Sequence, residues 1–178
     1  MKEQKKVLGE ERRELLLRLL QEKGEPITGS ELASRTNVSR QVIVGDITLL
    51  KAKGEPIIAT SQGYMYLLQP SHSPAVERTI ASSHPPEGTE EELNILVDYG
   101  VTVKDVKIEH PVYGDLTASV MVSNRKEVKQ FMEKIKSTKA SYLSELTGGI
   151  HLHTISATSE QKLNEAEQAL RRANFLVE

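Results

Sequence analysis

Apolar residues recur at helical spacing between residues 10 and 23, where Leu15, Leu16, Leu19 and Leu20 line one face, and Gly24 with Pro26 ends the run. Ser30, ahead of Glu31-Leu32-Ala33, predicts an N-cap and a short second helix reaching residue 36, followed by a turn at Asn37-Val38. Ser39 caps a predicted third helix with Val42, Ile43, Ile47, Leu49 and Leu50 on its apolar face and Lys53-Gly54 at its end. The pattern then changes to short strand-like runs at 56–60 and 64–68 around Ser61-Gln62-Gly63, which predicts a hairpin. Three helices and a hairpin make a winged helix-turn-helix. In that arrangement Ser39, Arg40 and Gln41 open the helix that enters the major groove of double-stranded DNA. Arg40 suits guanine, Gln41 suits adenine, and Ser39 suits a phosphate or a base edge. The alternative for such a trihelical unit is a protein-interaction module.

Beyond Gln69-Pro70-Ser71-His72-Ser73-Pro74, which reads as a linker, strand and helix signals alternate. Strands are predicted at 76–83, 101–109, 116–122 and 149–157, and helices at 89–99, 124–136 and from Ser159 as cap to about Ala173. A helical turn at 143–146 and a short terminal run at 175–177 complete the pattern. Val128, Phe131, Met132 and Ile135 form an i, i+3, i+4, i+7 stripe that reads as core, as do Leu163, Ala166, Leu170 and Ala173. The expectation is an α+β sandwich: a mainly antiparallel sheet with helices on one face. The domains are then 1–69 and 70–178.

Composition narrows the chemistry. The 178 residues contain no Cys, so disulfides, thiolate nucleophiles, zinc ribbons and iron–sulfur clusters are excluded, and any metal must be held by His and carboxylates. With 27% charged residues and no apolar run near the roughly 20 residues of a membrane span, the expectation is a soluble cytoplasmic protein with no membrane partner. Residues 1–68 carry 11 Lys and Arg against 9 Asp and Glu, a net of +2, and the remainder 12 against 16, a net of −4. The first half is thus only weakly basic for a DNA-binding unit, a shortfall that a dimer presenting two such units would partly offset. All five histidines lie in the second half.

Two of those histidines carry the strongest signal. In Gly149-Ile150-His151-Leu152-His153-Thr154, strand alternation puts His151 and His153 on one face and Ile150 and Leu152 on the other, with the apolar pair expected to take the core. Paired imidazoles on a rigid strand beside Gly148-Gly149 match a divalent-metal site. His84, at a strand end, and Glu90-Glu91-Glu92, at a helix start, are the other candidate ligands. His110 before Pro111 reads equally as a turn residue, a hydrogen-bonded support or a ligand contact, and His72 reads as solvated.

His84 followed by Glu92, Glu109-His110-Pro111-Val112-Tyr113-Gly114 and Gly148-Gly149-Ile150-His151-Leu152-His153-Thr154, placed behind a winged helix, resemble the niacin-responsive transcriptional repressors of the NiaR type. Their second domain is named for three recurrent histidine elements, and the resemblance covers nearly the whole chain. It implies a homodimer that represses genes for NAD biosynthesis or niacin uptake when nicotinic acid is bound as co-repressor. It also implies one divalent transition metal per subunit, among nickel, zinc, iron and manganese. Carried over by position, the ligands are His84, Glu92, His151 and His153, with Glu90 and Glu91 leaving the carboxylate open by a helical turn. His110 and Tyr113 are assigned to the effector pocket. A metal-dependent hydrolase is the rival from another class, but the chain has no HExxH, nucleophile elbow or phosphate loop, so a non-enzyme regulator is expected. A repressor in which the ion itself is the signal is the third reading.

Overall fold

The computed structural model describes residues 8–67 and 75–177, so the linker proline pair and His72 lie outside the described residues. The chain divides into two compact units, residues 1–69 and 70–178. In the first, helices α1 (Gly9–Lys23), α2 (Gly29–Thr36) and α3 (Arg40–Ala52) precede strands β1 (Ile57–Thr60) and β2 (Gly63–Tyr66), which pair antiparallel. Helix α1 ends where Gly24 turns left-handed at φ 62°. The cap of α2 is Thr28, not Ser30: the Thr28 hydroxyl accepts from the Glu31 amide at 3.1 Å, which leaves Ser30 inside the first turn. Asn37 adopts the left-handed turn at φ 51°, and Ser39 caps α3 by accepting from the Val42 amide.

Leu16, Leu20, Ile27, Leu32, Ile43, Ile47, Leu50 and Ile57 form the core of this unit. Leu49, predicted on the inner face of α3, is exposed, and the inner position one turn earlier belongs to a carboxylate, Asp46. The Asp46 carboxylate accepts from Arg12 Nε at 2.6 Å, from Arg12 Nη2 at 3.3 Å and from Arg13 Nη1 at 3.3 Å, so α1 and α3 are joined by a buried ion pair. Ile27 pairs with Tyr64, which ties the segment between α1 and α2 to the wing. Gly63 permits this: its φ is 139°, and a Cβ there would stand 2.5 Å from the Ile27 carbonyl oxygen.

The second unit runs β3 (Val76–Ser83), α4 (Thr89–Asp98), β4 (Thr102–His110), β5 (Gly114–Val122), α5 (Arg125–Thr138), β6 (Ile150–Ala157) and α6 (Glu160–Arg172). Its sheet has the order β3-β6-β4-β5 with every neighbouring pair antiparallel, an α+β arrangement. Inward residues of the strands, such as Ile80, Val103, Val122 and Ile155, form one cluster with Leu93 and Leu96 of α4, Val128 and Met132 of α5, and Leu163 and Leu170 of α6. Phe175 joins them, and the terminal run pairs along the outer edge of β3 through Ser83 N to Phe175 O and Val177 N to Ala81 O.

The facing of β6 is the reverse of the sequence expectation. His151 and His153 are 3% and 4% exposed on the helix-covered side, while Ile150 and Leu152 are 57% and 40% exposed on the open side. The imidazoles take the inner file because Ile155 and Ala157 farther along the strand fix which face the helices cover, and a period of two does the rest.

Candidate functional site

Three elements converge beneath the helices. On β3 the inner file is Ile80, Ser82 and then, just past the strand end, His84; on β6 it holds His151 and His153. The register sets Ser82 opposite His151 and Ile80 opposite His153. From α4, Glu92 enters fully buried, while Glu90 and Glu91 point outward, so the helical period resolves the choice among the three carboxylates. Gly149 makes the close approach possible: at φ 101° it packs so tightly that a Cβ would lie 2.5 Å from the His84 carbonyl oxygen.

One oxygen of Glu92 is the focus. His84 Nε2 lies 2.7 Å from Glu92 Oε2, His151 Nε2 3.3 Å and His153 Nε2 3.2 Å. The other ring nitrogens are committed to carbonyl oxygens: His84 Nδ1 to Pro85 at 2.8 Å, His151 Nδ1 to Gly149 at 2.8 Å and His153 Nδ1 to Asp105 at 2.6 Å. A carbonyl only accepts, so each Nδ1 carries the proton and each neutral ring presents an Nε2 lone pair to the carboxylate. The Asp105 carbonyl is available because β4 slips register against β6 between Val103 and Lys107, a bulge that aims backbone at the His153 ring.

Four acceptor atoms meeting in a dry pocket need a cation between them. Protons are one solution. Burial opposes charge on His84 and His153, but the hydrogen bonds and negative charge of Glu92 outweigh it and raise both above the ordinary value. Burial likewise pushes the Glu92 carboxyl upward, yet the charge of His153 and the hydrogen bonds of the three rings hold it well below the usual carboxylate range. A divalent metal is the better match to the donor set. Bonds of about 2.1 Å put neighbouring ligand atoms about 3.0–3.4 Å apart, close to the separations seen here. Ligand atoms of His84, Glu92 and His151 all lie within 4.8 Å of one another, and Glu92 Oε1 is buried without a hydrogen-bond partner among the described residues. Each carbonyl-bound Nδ1 is also the outer hydrogen bond that orients a metal-ligating imidazole.

The other sequence-derived residues lie elsewhere. His110 Nδ1 accepts from the amides of Val112 and Tyr113 at 3.1 and 3.2 Å and its ring lies 5.0 Å from that of Tyr113, which is exposed. Both staple the turn between β4 and β5 and share none of the hydrogen bonds of the cluster. Ser39, Arg40 and Gln41 are exposed at the start of α3. The Ser39 hydroxyl oxygen is engaged as the cap, which leaves its proton free to donate. Sequence reasoning missed the Arg12–Asp46 pair, the Asp105 carbonyl and Ser82; only Ser82 carries a signal that could have found it, its place two residues before His84 on a strand.

A 3H domain model matches residues 77–178, and a helix-turn-helix domain model matches residues 12–65. The chain is 59% identical to a transcription repressor, NadR, of Bacillus subtilis, over 99% of both chains. It is 39% identical to a probable transcription repressor, NiaR, of Thermotoga maritima, over 97% of both. Among the described residues no helix is long and apolar enough to cross a membrane.

Proposed function

This chain belongs to the 3H-domain family and is a transcription repressor of the NadR and NiaR kind, and from that premise we propose that it represses genes of NAD biosynthesis or niacin uptake with nicotinic acid as co-repressor. The observation that carries the reading is the meeting of three Nε2 atoms on one buried carboxylate oxygen. His84, Glu92, His151 and His153 hold one divalent transition metal, nickel, zinc, iron or manganese, per subunit. Bound there, the metal supplies a Lewis-acid position for the pyridine nitrogen or carboxylate of the effector. His110 and Tyr113 are the outer contacts of the effector, since the register carried on from Lys107↔Leu152 sets His110 level with Gly149, at the His151 end of the sheet.

The active form is a homodimer. The open sheet face carries exposed Ile150 and Leu152 at the start of β6 and the Lys104–Glu77 pair (2.6 Å) at its other end, level with Ser156, so it offers a second copy both an apolar patch and a balanced charge pair. On DNA, Arg40 and Gln41 read base edges from the start of α3. The effector prefers the DNA-competent arrangement, and a coupling of about 1–3 kcal/mol shifts operator affinity about 5–150-fold.

Calorimetry tests the metal-centred pocket. Metal-loaded protein is expected to bind nicotinic acid at least about ten times more tightly than chelator-stripped protein, the cost of one lost coordination bond being more than about 1.4 kcal/mol. Equal affinity in the two samples contradicts the reading.

A further inference from the structure

We infer that Ser82 is a ligand-anchoring residue of this centre, its hydroxyl donating to a carboxylate oxygen of the small aromatic acid bound beside the metal; the inference rests on the metal and effector reading above. Ser82 is fully buried, and its Oγ has no hydrogen-bond partner among the described residues. Its position is fixed by two neighbours. Residues i and i+2 share a strand face about 7 Å apart, which sets Ser82 beside His84. The residue opposite in an antiparallel pair has its Cβ about 5 Å away, and that residue is His151. The hydroxyl therefore stands between two proposed metal ligands, on the side of the sheet to which their rings point.

Two more orphaned oxygens lie on α4, the helix that brings Glu92 to the cluster. Glu92 Oε1 and Thr89 Oγ1 are buried and unpartnered among the described residues, and Thr89 precedes Glu92 by three residues, on the same side of α4. Unpaired buried polar atoms are few in folded chains, and three on the two elements that flank this cluster point to a missing polar occupant. The donor inventory says which kind. Every Nδ1 proton is taken by a carbonyl, and Nε2 and Oε2 are acceptors turned to the metal. Among the described residues, the buried side-chain hydroxyls left without a partner, and so able to donate to an anion, are those of Ser82 and Thr89. Ser82 is the better placed, because it lies between His84 and His151 rather than at the helix start.

The test is Ser82→Ala in the full chain, measured three ways with nicotinic acid as probe. Metal content by mass spectrometry is expected to stay at the wild-type value. The melting temperature of the chelator-stripped protein is expected not to fall, because an orphaned hydroxyl contributes no internal bond. Nicotinic acid affinity of the metal-loaded protein is expected to drop about 10- to 100-fold, the range for a hydrogen bond to a charged group. Unchanged affinity with full metal content overturns the inference and leaves the functional reading standing. Loss of metal, or a lower melting temperature when stripped, also overturns it, since the hydroxyl would then serve the fold. If wild-type loaded protein binds no nicotinic acid, the functional reading falls and takes the inference with it. Should Ser82→Ala not fold, Ser82→Cys keeps the size with a weaker donor and carries the same expectations.

Discussion

Replacing Glu92 by Gln is expected to leave a folded chain that has lost its metal, with affinity down by at least about 100-fold in a competition with a chelating dye. Removing outer hydrogen-bond partners of a metal ligand costs about 10–100-fold, and this change removes a ligand charge itself. The side chains are isosteric and the site is buried, so packing changes little. What changes is that the one oxygen on which His84, His151 and His153 converge becomes part of a neutral amide. The metal-free proteins differ as well, in a way that depends on pH. His84 and His153 have folded-state values above their ordinary one, so their contribution to stability is complete below about pH 6.5 and is lost as pH rises through the raised folded values. Glu92 is depressed, so its contribution is present above about pH 4.3 and is lost as pH falls through the lower folded value. The stripped wild type should therefore outlast the stripped Glu92→Gln chain most clearly between about pH 4.3 and 6.5, with the advantage shrinking on either side. A variant that keeps one metal per chain contradicts the assignment.

Asp46→Ala is expected to destabilise the winged helix by about 3–5 kcal/mol in chemical denaturation of the full chain followed by circular dichroism. Asp46 is buried on α3 and receives both Arg12 nitrogens and one of Arg13. Removing it leaves a buried guanidinium without its carboxylate, which is worse than having no ion pair at all. The double replacement Arg12→Met with Asp46→Leu should accordingly recover most of the loss, because an apolar pair of similar size needs no compensation. The effect reaches function through geometry. The pair sets how α3 lies on α1, and α3 begins with the residues proposed to read DNA, so Asp46→Ala should weaken operator binding even where the chain remains folded. A loss below 1 kcal/mol would mean that the pair is screened and that apolar packing alone positions the helix. Two arginines committed to Asp46 also leave fewer free cations for phosphates than the net charge of the first unit suggests.

Much of this fold is legible in the residue pattern because each signal is local. Ser39, Asn124 and Ser159 cap their helices through their own side chains, and Gly24 ends α1 by turning left-handed, all from a single residue. Thr28 was legible too: Thr28-x-x-Glu31 places a hydroxyl three residues before the amide it accepts, whereas Ser30 sits too close to Glu31 to do so. Leu49 and Asp46 show where locality ends. Periodicity admits either residue to the inner face of α3, and only the two arginines of α1, 33 and 34 residues away, decide for the carboxylate. The inverted facing of Ile150 and Leu152 has the same origin. Strand alternation correctly separates them from His151 and His153, but which face the helices cover is a property of the whole sheet. Apolar character misleads there, since the two imidazoles converge on the buried Glu92 carboxylate and so take the covered face. Glu92 was narrowed to three residues by sequence and to one by the direction of α4 over β3 and β6. The partner of the His153 ring, a main-chain carbonyl exposed by a register slip in β4, leaves no mark in the sequence.

The central claim is tested most directly by titrating metal-loaded protein onto its own upstream DNA with and without nicotinic acid, with nicotinamide as control. The account predicts that the acid tightens binding by about 5–150-fold and that the amide leaves it unchanged. Equal operator affinity with and without the acid, in protein shown to carry its metal, would contradict it.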